Sequence, residues 1–343
     1  MDTLIQLAVD YGLFLAKAVT VVVAIGVVFA WIASSVQQLK KMSQESLEVR
    51  NINERLQRMA DTLHHEMLGK TELKSLHKKL KAKAKQEAKA EKLGKKHRGN
   101  RLFVIDFDGD IKASAADNLR EEINAILQVA ESDDEVLIRL ESPGGMVHSY
   151  GLAASQLRRL PDNGVKLTAA VDKLAASGGY LMACVADRII AAPFAIIGSI
   201  GVVGQMPNFN RLLKEKNIDY EMHTAGDHKR TLTVFGENTD ADRAKFREEL
   251  EETHGLFKRF VADNRPELDV DAVATGEHWY GSKALELKLV DSISTSDDYM
   301  LAAARDERQV FTVSYKTRPS LTDRVAQNAA VALRRHLPAW LPR

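Results

Sequence analysis

The sequence predicts an α/β domain with a largely parallel sheet, set behind an apolar N-terminal segment and a long polar helical region. Three observations lead there. Apolar runs rich in β-branched residues alternate with stretches of helical periodicity from residue 101 onward. Residues 12–33 carry one charge in 22 positions. Residues 35–100 are polar and free of proline.

At 343 residues, 45% apolar and 28% charged, the chain is able to bury a sizeable core. The run "GLFLAKAVTVVVAIGVVFAWIA" (12–33) is long enough to span a bilayer. Lys17 lies near one end, where its stem can snorkel, and Trp31 suits the other interface. No basic residue precedes the run and no A-x-A pattern closes it, which favours an uncleaved anchor over 1–34. Asp2 and Asp10 precede it, whereas Lys40, Lys41 and Arg50 follow, so the positive-inside rule puts the bulk of the chain in the cytoplasm.

Residues 35–100 read as a helical stalk, with Leu47, Val49, Ile52, Leu56, Met59, Leu63 and Met67 at roughly helical spacing, ending in a lysine-rich tether. From Lys70 to Arg101 there are 13 Lys or Arg against 3 Glu, so the net charge of +1 hides an acidic remainder. Nucleic-acid binding fits poorly, because "KKLKAKAKQEAKAEKLGKK" offers no aromatic ring to stack on a base. A solvated tether, or a patch drawn to anionic lipid, is more economical.

The globular domain is expected over 101–310. "RLFVIDFDG" (101–109) is an apolar strand with a turn, "DNLREEINAILQVAE" (117–131) a helix, and "EVLIRLESPGG" (135–145) a strand running into a glycine turn. A helix over 149–160, a strand over 166–172, a serine turn at Ser177 with its own helix, and a strand over 188–192 follow. Helices at 240–265 and 282–289 continue the pattern, and 311–343 reads as a peripheral basic tail. The segment 188–206 is apolar enough to suggest a second span. Pro193, Gly198, Ser199, Gly201 and Gly204 interrupt it, and a buried parallel strand fits better. The single cysteine, Cys184, excludes an intramolecular disulfide and reads as buried packing.

Serine hydrolysis needs an activated hydroxyl, a base, and donors aimed at the developing oxyanion. Ser177, in "AASGGYL", opens a helix whose first N–H groups are free, and "ESPGG" (141–145) ends a strand in a second glycine turn. On local grounds alone Ser177 reads as a helix cap ahead of a nucleophile, and "ESPGG" as an ordinary turn. No metal-ligand motif is present, and His148, His223, His228, His254 and His278 are scattered. A lysine can serve as base when burial favours its neutral amine, but composition does not say which lysine.

"ESPGG", "ASGGY", "GSIGVV" and "TAGDHKR", in this order, together with the anchor, the tether and "ATGEHWYGSKALELKLVD", resemble the signal-peptide-peptidase A family of membrane serine/lysine peptidases, in particular its SohB branch. The resemblance implies a ClpP/crotonase-like spiral of βα units. It implies Ser177 as nucleophile, Lys229 as general base, Ser199 as the hydroxyl that orients the lysine, and Gly145 and Gly178 as oxyanion donors. It also implies peptide or protein substrates, no metal or other cofactor, the bacterial inner membrane, and a homo-oligomer with sites shared between protomers. Many family members act outside the cytoplasm, which pulls against the charge count. Two other readings stand beside it: a non-catalytic membrane scaffold, and an acyl-CoA-binding enzyme of crotonase type. A shallow groove lined by Met146, Val147 and Tyr180 would suit small or aliphatic substrate residues.

Overall fold

A computed structural model of the chain describes residues 17, 19–20, 45–92, 100–226 and 228–317. Contacts divide the chain into Glu48–Ser314 and a second unit, Met1–Leu47 with Tyr315–Arg343. In the second unit Lys17, Val19 and Thr20 are helical. The rest of the anchor expected over 1–34 lies outside the described residues, and so does the tail beyond 317. Among the described residues no helix is long and apolar enough to cross a membrane.

The main unit is α/β, with a seven-stranded sheet and a three-stranded one, and it fits a ClpP-like fold. In chain order the strands are β1 (Glu45–Asn51), β2 (Arg101–Asp108), β3 (Glu135–Glu141), β4 (Lys166–Val171), β5 (Leu174–Ala176), β6 (Arg188–Ala191), β7 (Ile196–Gly198), β8 (His278–Tyr280), β9 (Ser292–Ile293) and β10 (Gln309–Thr317). The large sheet runs β1-β10-β2-β3-β4-β6-β9, the small one β5-β7-β8. Every pairing from β10 through β9 in the large sheet is parallel. The segment 188–206, expected as a buried parallel strand with its turns, supplies β6 to one sheet and β7 to the other.

Burial explains why β2, β3 and β4 read so clearly. Phe103, Ile105 and Phe107 face one core together with Ile138, Leu140 and Leu167; Leu102 and Val104 face another with Leu137 and Ala170. A strand buried on both faces is apolar nearly throughout. Helices Ala116–Leu127 and Val147–Asp162 contribute to the first core, the latter through Tyr150, Ala153, Ala154, Leu157 and Leu160. Helix Ser296–Arg305 contributes Met300 and Ala303 to the second.

The stalk and the tail depart from expectation. Residues 45–51 form strand β1 rather than helix, because Leu47 and Val49 alternate with polar residues in the strand period. Helices Ile52–Met67 and Lys70–Lys92 follow, broken at Leu68, whose backbone is extended. The Asn53 side chain donates to the Arg308 carbonyl (2.8 Å) and accepts from the Val310 N–H (2.7 Å), fixing the start of the first of these helices to β10. Residues 311–317, expected in a peripheral tail, instead belong to β10, which buries Val310 and Val313.

One buried charge anchors the start of β2. The Asp134 carboxylate, with no exposed surface, accepts from the Arg101 N–H (2.7 Å), the Arg101 guanidinium (2.5 Å) and the Glu131 N–H (2.8 Å). Burial by itself would raise its pKa; these bonds outweigh that and hold it below the ordinary carboxylate range. Asp134→Ala should cost about 3 kcal/mol at neutral pH, read from denaturant unfolding. The folded carboxyl titrates below the unfolded one, so its contribution is complete above about pH 4 and fades as pH falls through the folded value. The gap between wild type and variant should narrow in that acidic window.

Candidate active site

β5 and β7 run parallel with Ala176 opposite Gly198, and Ser177 and Ser199 are the residues that follow. The Ser177 N–H donates to the Gly198 carbonyl (2.8 Å), extending the ladder by one bond. The chain then enters helix Gly178–Ala183 with no connecting residue. Ser177 consequently adopts φ 50°, ψ −118°, a backbone region that L-residues rarely occupy. Such a residue costs about 1–3 kcal/mol and persists only where its surroundings enforce it. All six residues of the helix are buried, and the Leu181 N–H donates to the Ser177 carbonyl (3.0 Å).

The capping role that local sequence suggests for Ser177 is not realised. Its hydroxyl makes no bond to the first turn of the helix. An N-cap residue needs extended dihedrals to swing its oxygen over that turn, and a φ of 50° forbids it. Ser199 has φ 52°, and its N–H donates to the Glu277 carbonyl (2.6 Å).

The second glycine turn lies against this junction. Gly144 has φ 84°, and a Cβ placed on it would sit 2.8 Å from the Ser177 Cβ and 2.6 Å from the Gly178 nitrogen. Only glycine lets the two turns approach so closely. The Ala176 N–H donates to the Ser142 carbonyl (3.0 Å) and the Ser142 N–H to the Leu174 carbonyl (2.8 Å), so the end of β3 is bonded directly to β5.

Between the turns opens an apolar cavity of about 240 Å³. Ser177, Gly145 and Gly178 line it together with Val147, Leu181 and Val202. Its far wall is the helix Asp240–Asn264, through Thr253, Leu256, Phe257 and Phe260. Their spacing of i, i+3, i+4 and i+7 puts all four on one helical face. Of the groove residues expected from sequence, Val147 lines the cavity, but Met146 and Tyr180 do not. Tyr180 is fully buried beneath the helix start, donating its hydroxyl to the Leu289 carbonyl (2.9 Å). Cys184 is buried as expected, and burial pushes its thiol up to about 12, so it stays protonated.

A larger cleft of about 580 Å³ lies at the other ends of the strands, near Asp187 before β6 and Asp291 before β9. Its chemistry is structural. Burial would raise the Asp291 carboxyl, but the Arg265 guanidinium (2.5 Å) and the Ile189 N–H (2.6 Å) outweigh it and hold the group ionised. Size alone would favour this cleft; the smaller cavity holds the serine and the free helix N–H groups.

The structure thus brings Ser177, Gly145 and Gly178 to one cavity and places Ser199 beside Ser177. It does not bring Lys229 there. Lys229 is exposed in a bend, its N–H donating to the Gly226 carbonyl (3.2 Å), and it does not line the cavity.

Residues 6–157 match the model of the N-terminal region of peptidase family S49, and residues 159–310 match the model of peptidase family S49 itself. A relative from Haemophilus influenzae, named probable protease SohB, is 50% identical over 337 residues, covering 93% of this chain and 92% of its own. Proteins of the same name from two subspecies of Buchnera aphidicola are also similar. The one from Acyrthosiphon pisum is 59% identical over 67% of this chain and 68% of its own; the one from Schizaphis graminum is 46% identical over 90% of each. Matched by family models on both sides of residue 158 and by proteases along most of its length, this chain belongs to peptidase family S49.

Proposed function

We propose that the chain is a membrane-anchored serine endopeptidase working through a Ser177/Lys229 dyad. The observation that carries this reading is the state of Ser177: held at a strained turn, relieved of capping, and facing an apolar cavity with Gly145 and Gly178 on its rim. Lys229 Nζ takes the proton of Ser177 Oγ as the oxygen bonds to a peptide carbonyl carbon. The N–H groups of Gly145 and Gly178 receive the oxyanion. Collapse of the tetrahedral adduct expels the amine, which leaves with the proton held by Lys229. Water, deprotonated by the same lysine, then hydrolyses the acyl-enzyme. Ser199, next to Ser177, is the hydroxyl that orients the amine. Signal peptides and unfolded or membrane-associated polypeptides are the substrates this reading implies.

The exposed position of Lys229 is accounted for by a second copy of the chain. The surrounding segment carries Val203, Met206, Ile218, Tyr220, Met222 and Phe235 on its surface, Val203 being 83% exposed. So many apolar side chains within one stretch of chain fit a face that another protomer covers, with Lys229 delivered to the neighbour's cavity. In this reading residues 1–34 form the anchor in a bacterial inner membrane, and the peptidase domain, which takes in β1 and β10, lies on the cytoplasmic side.

Ser177→Ala and Lys229→Ala should each abolish cleavage of a denatured protein. Mixing the two dissociated variants and reassembling them should restore about a quarter of wild-type turnover, since random pairing leaves one interface in four intact. Recovery of none would place both groups in one chain. Peptide libraries should be cut beside Leu, Val or Ala in preference to Asp or Lys, because the cavity offers no charge to receive them; equal cutting would remove the cavity as the side-chain pocket. Protease added to intact spheroplasts should leave the catalytic domain whole and degrade it only after lysis.

A further inference from the structure

Two fully buried hydroxyl side chains, Ser142 and Tyr150, lie against the glycine turn, and Tyr150 also lines the cavity. The Gly144 N–H donates to Ser142 Oγ (3.1 Å), Ser142 Oγ lies 2.6 Å from Tyr150 Oη, and Tyr150 Oη donates to the Asp110 carbonyl (2.8 Å). A hydroxyl has one proton. That of Tyr150 is committed to a carbonyl, which only accepts, so the proton between the two hydroxyls belongs to Ser142. The four groups form one directional chain, from Gly144 N–H through Ser142 and Tyr150 to Asp110 C=O. In a buried site each bond of such a chain polarises the next. Burial also raises the Tyr150 phenol above its ordinary value, which keeps it a donor.

The chain of bonds laces two loops together. The Gly109 N–H donates to the Glu141 carbonyl and the Met146 N–H to the Ile111 carbonyl, both at 2.8 Å. Tyr150 Oη stands between these points, tying the 109–111 segment to the 142–146 turn. The tyrosine ring acts separately. A Cβ on Gly178 would lie 2.4 Å from Tyr150 Cγ, so the ring is the surface on which Gly178 rests. One side chain therefore touches both elements whose N–H groups border the cavity. The ring supports Gly178, and the hydroxyl, through Ser142, holds the Gly144 N–H, one residue before Gly145.

We propose that Tyr150 and Ser142 are positioning residues that set the spacing between the N–H groups of Gly145 and Gly178. The proposal rests on the reading that these two groups receive the oxyanion. Donors serve an oxyanion only when both lie about 3 Å from the place the oxygen reaches in the transition state. A turn released from Ser142 keeps its cavity and loses that distance. Binding of the ground-state peptide is then spared while the chemical step suffers.

Tyr150→Phe keeps the ring and deletes the tie. It should lower kcat about tenfold to a hundredfold with KM within about twofold. Binding of a peptide aldehyde, which turns tetrahedral on Ser177, should weaken by the same factor, while binding of the matching peptide amide stays unchanged. Ser142→Ala should reproduce the pattern, and it decides the matter alone if Tyr150→Phe does not fold. Wild-type kcat in the folded variants would overturn the proposal. So would equal losses of aldehyde and amide affinity, the mark of a general structural role. A Ser177→Ala chain that still turned over would remove the acyl-enzyme, and this proposal with it, whatever Tyr150→Phe does.

Discussion

The hydrogen bond from the Ser177 N–H to the Gly198 carbonyl is the constraint around which the cavity is arranged. It keeps β5 in its ladder up to the residue before a helix, so the whole reversal from strand to helix falls on Ser177. The left-handed backbone there follows, and from it the release of the hydroxyl from capping. The strain of about 1–3 kcal/mol is offset by the six buried residues of the helix, Tyr180, Leu181 and Met182 among them. The same junction compels glycine at 144, because the Ser142 turn is bonded to β5 and passes within van der Waals range of Ser177. Two loops distant in sequence are thereby held edge to edge, with the mouth of the cavity between them.

How far the sequence reveals this depends on where each physical requirement is met. β2, β3 and β4 are legible because both of their faces are buried, which writes an unbroken apolar run into the chain. The helix Val147–Asp162 is legible for a similar reason, its buried residues recurring at helical spacing. β5, β7 and β8 have three residues each, too few for any period to appear, and they are stable only as a sheet. β1 and β10 escape a reading by sequence because the surrounding polar residues suggest a stalk and a tail. Their place depends on partners such as Asn53 and the 308–310 backbone, 255 and 257 residues apart.

The site divides along the same line. Gly145, Ser177 and Gly178 belong to short motifs whose glycines are demanded by close approach, and they meet at the cavity. The helical face of Thr253, Leu256, Phe257 and Phe260 carries an equally plain period. Nothing in that period says which cavity it faces, and closeness in sequence alone points to Met146 and Tyr180 as groove residues. Tyr180 shows why that guide fails: its side chain is fully buried, and its hydroxyl reaches the Leu289 carbonyl beneath the site.

The contrast between the two clefts bears on what the cavity can do. In the larger one, Arg265 and Asp291 neutralise each other through bonds that also fix the starts of β6 and β9, which commits both side chains to structure. In the smaller one the polar groups at the rim are the serine hydroxyl and backbone N–H groups, set in apolar walls where an electrostatic contact is strong. Such a site is prepared for charge that appears only during reaction, and it holds no charge of its own. Lys229 does not line this cavity; it is exposed in a segment that also carries exposed apolar side chains such as Val203 and Ile218.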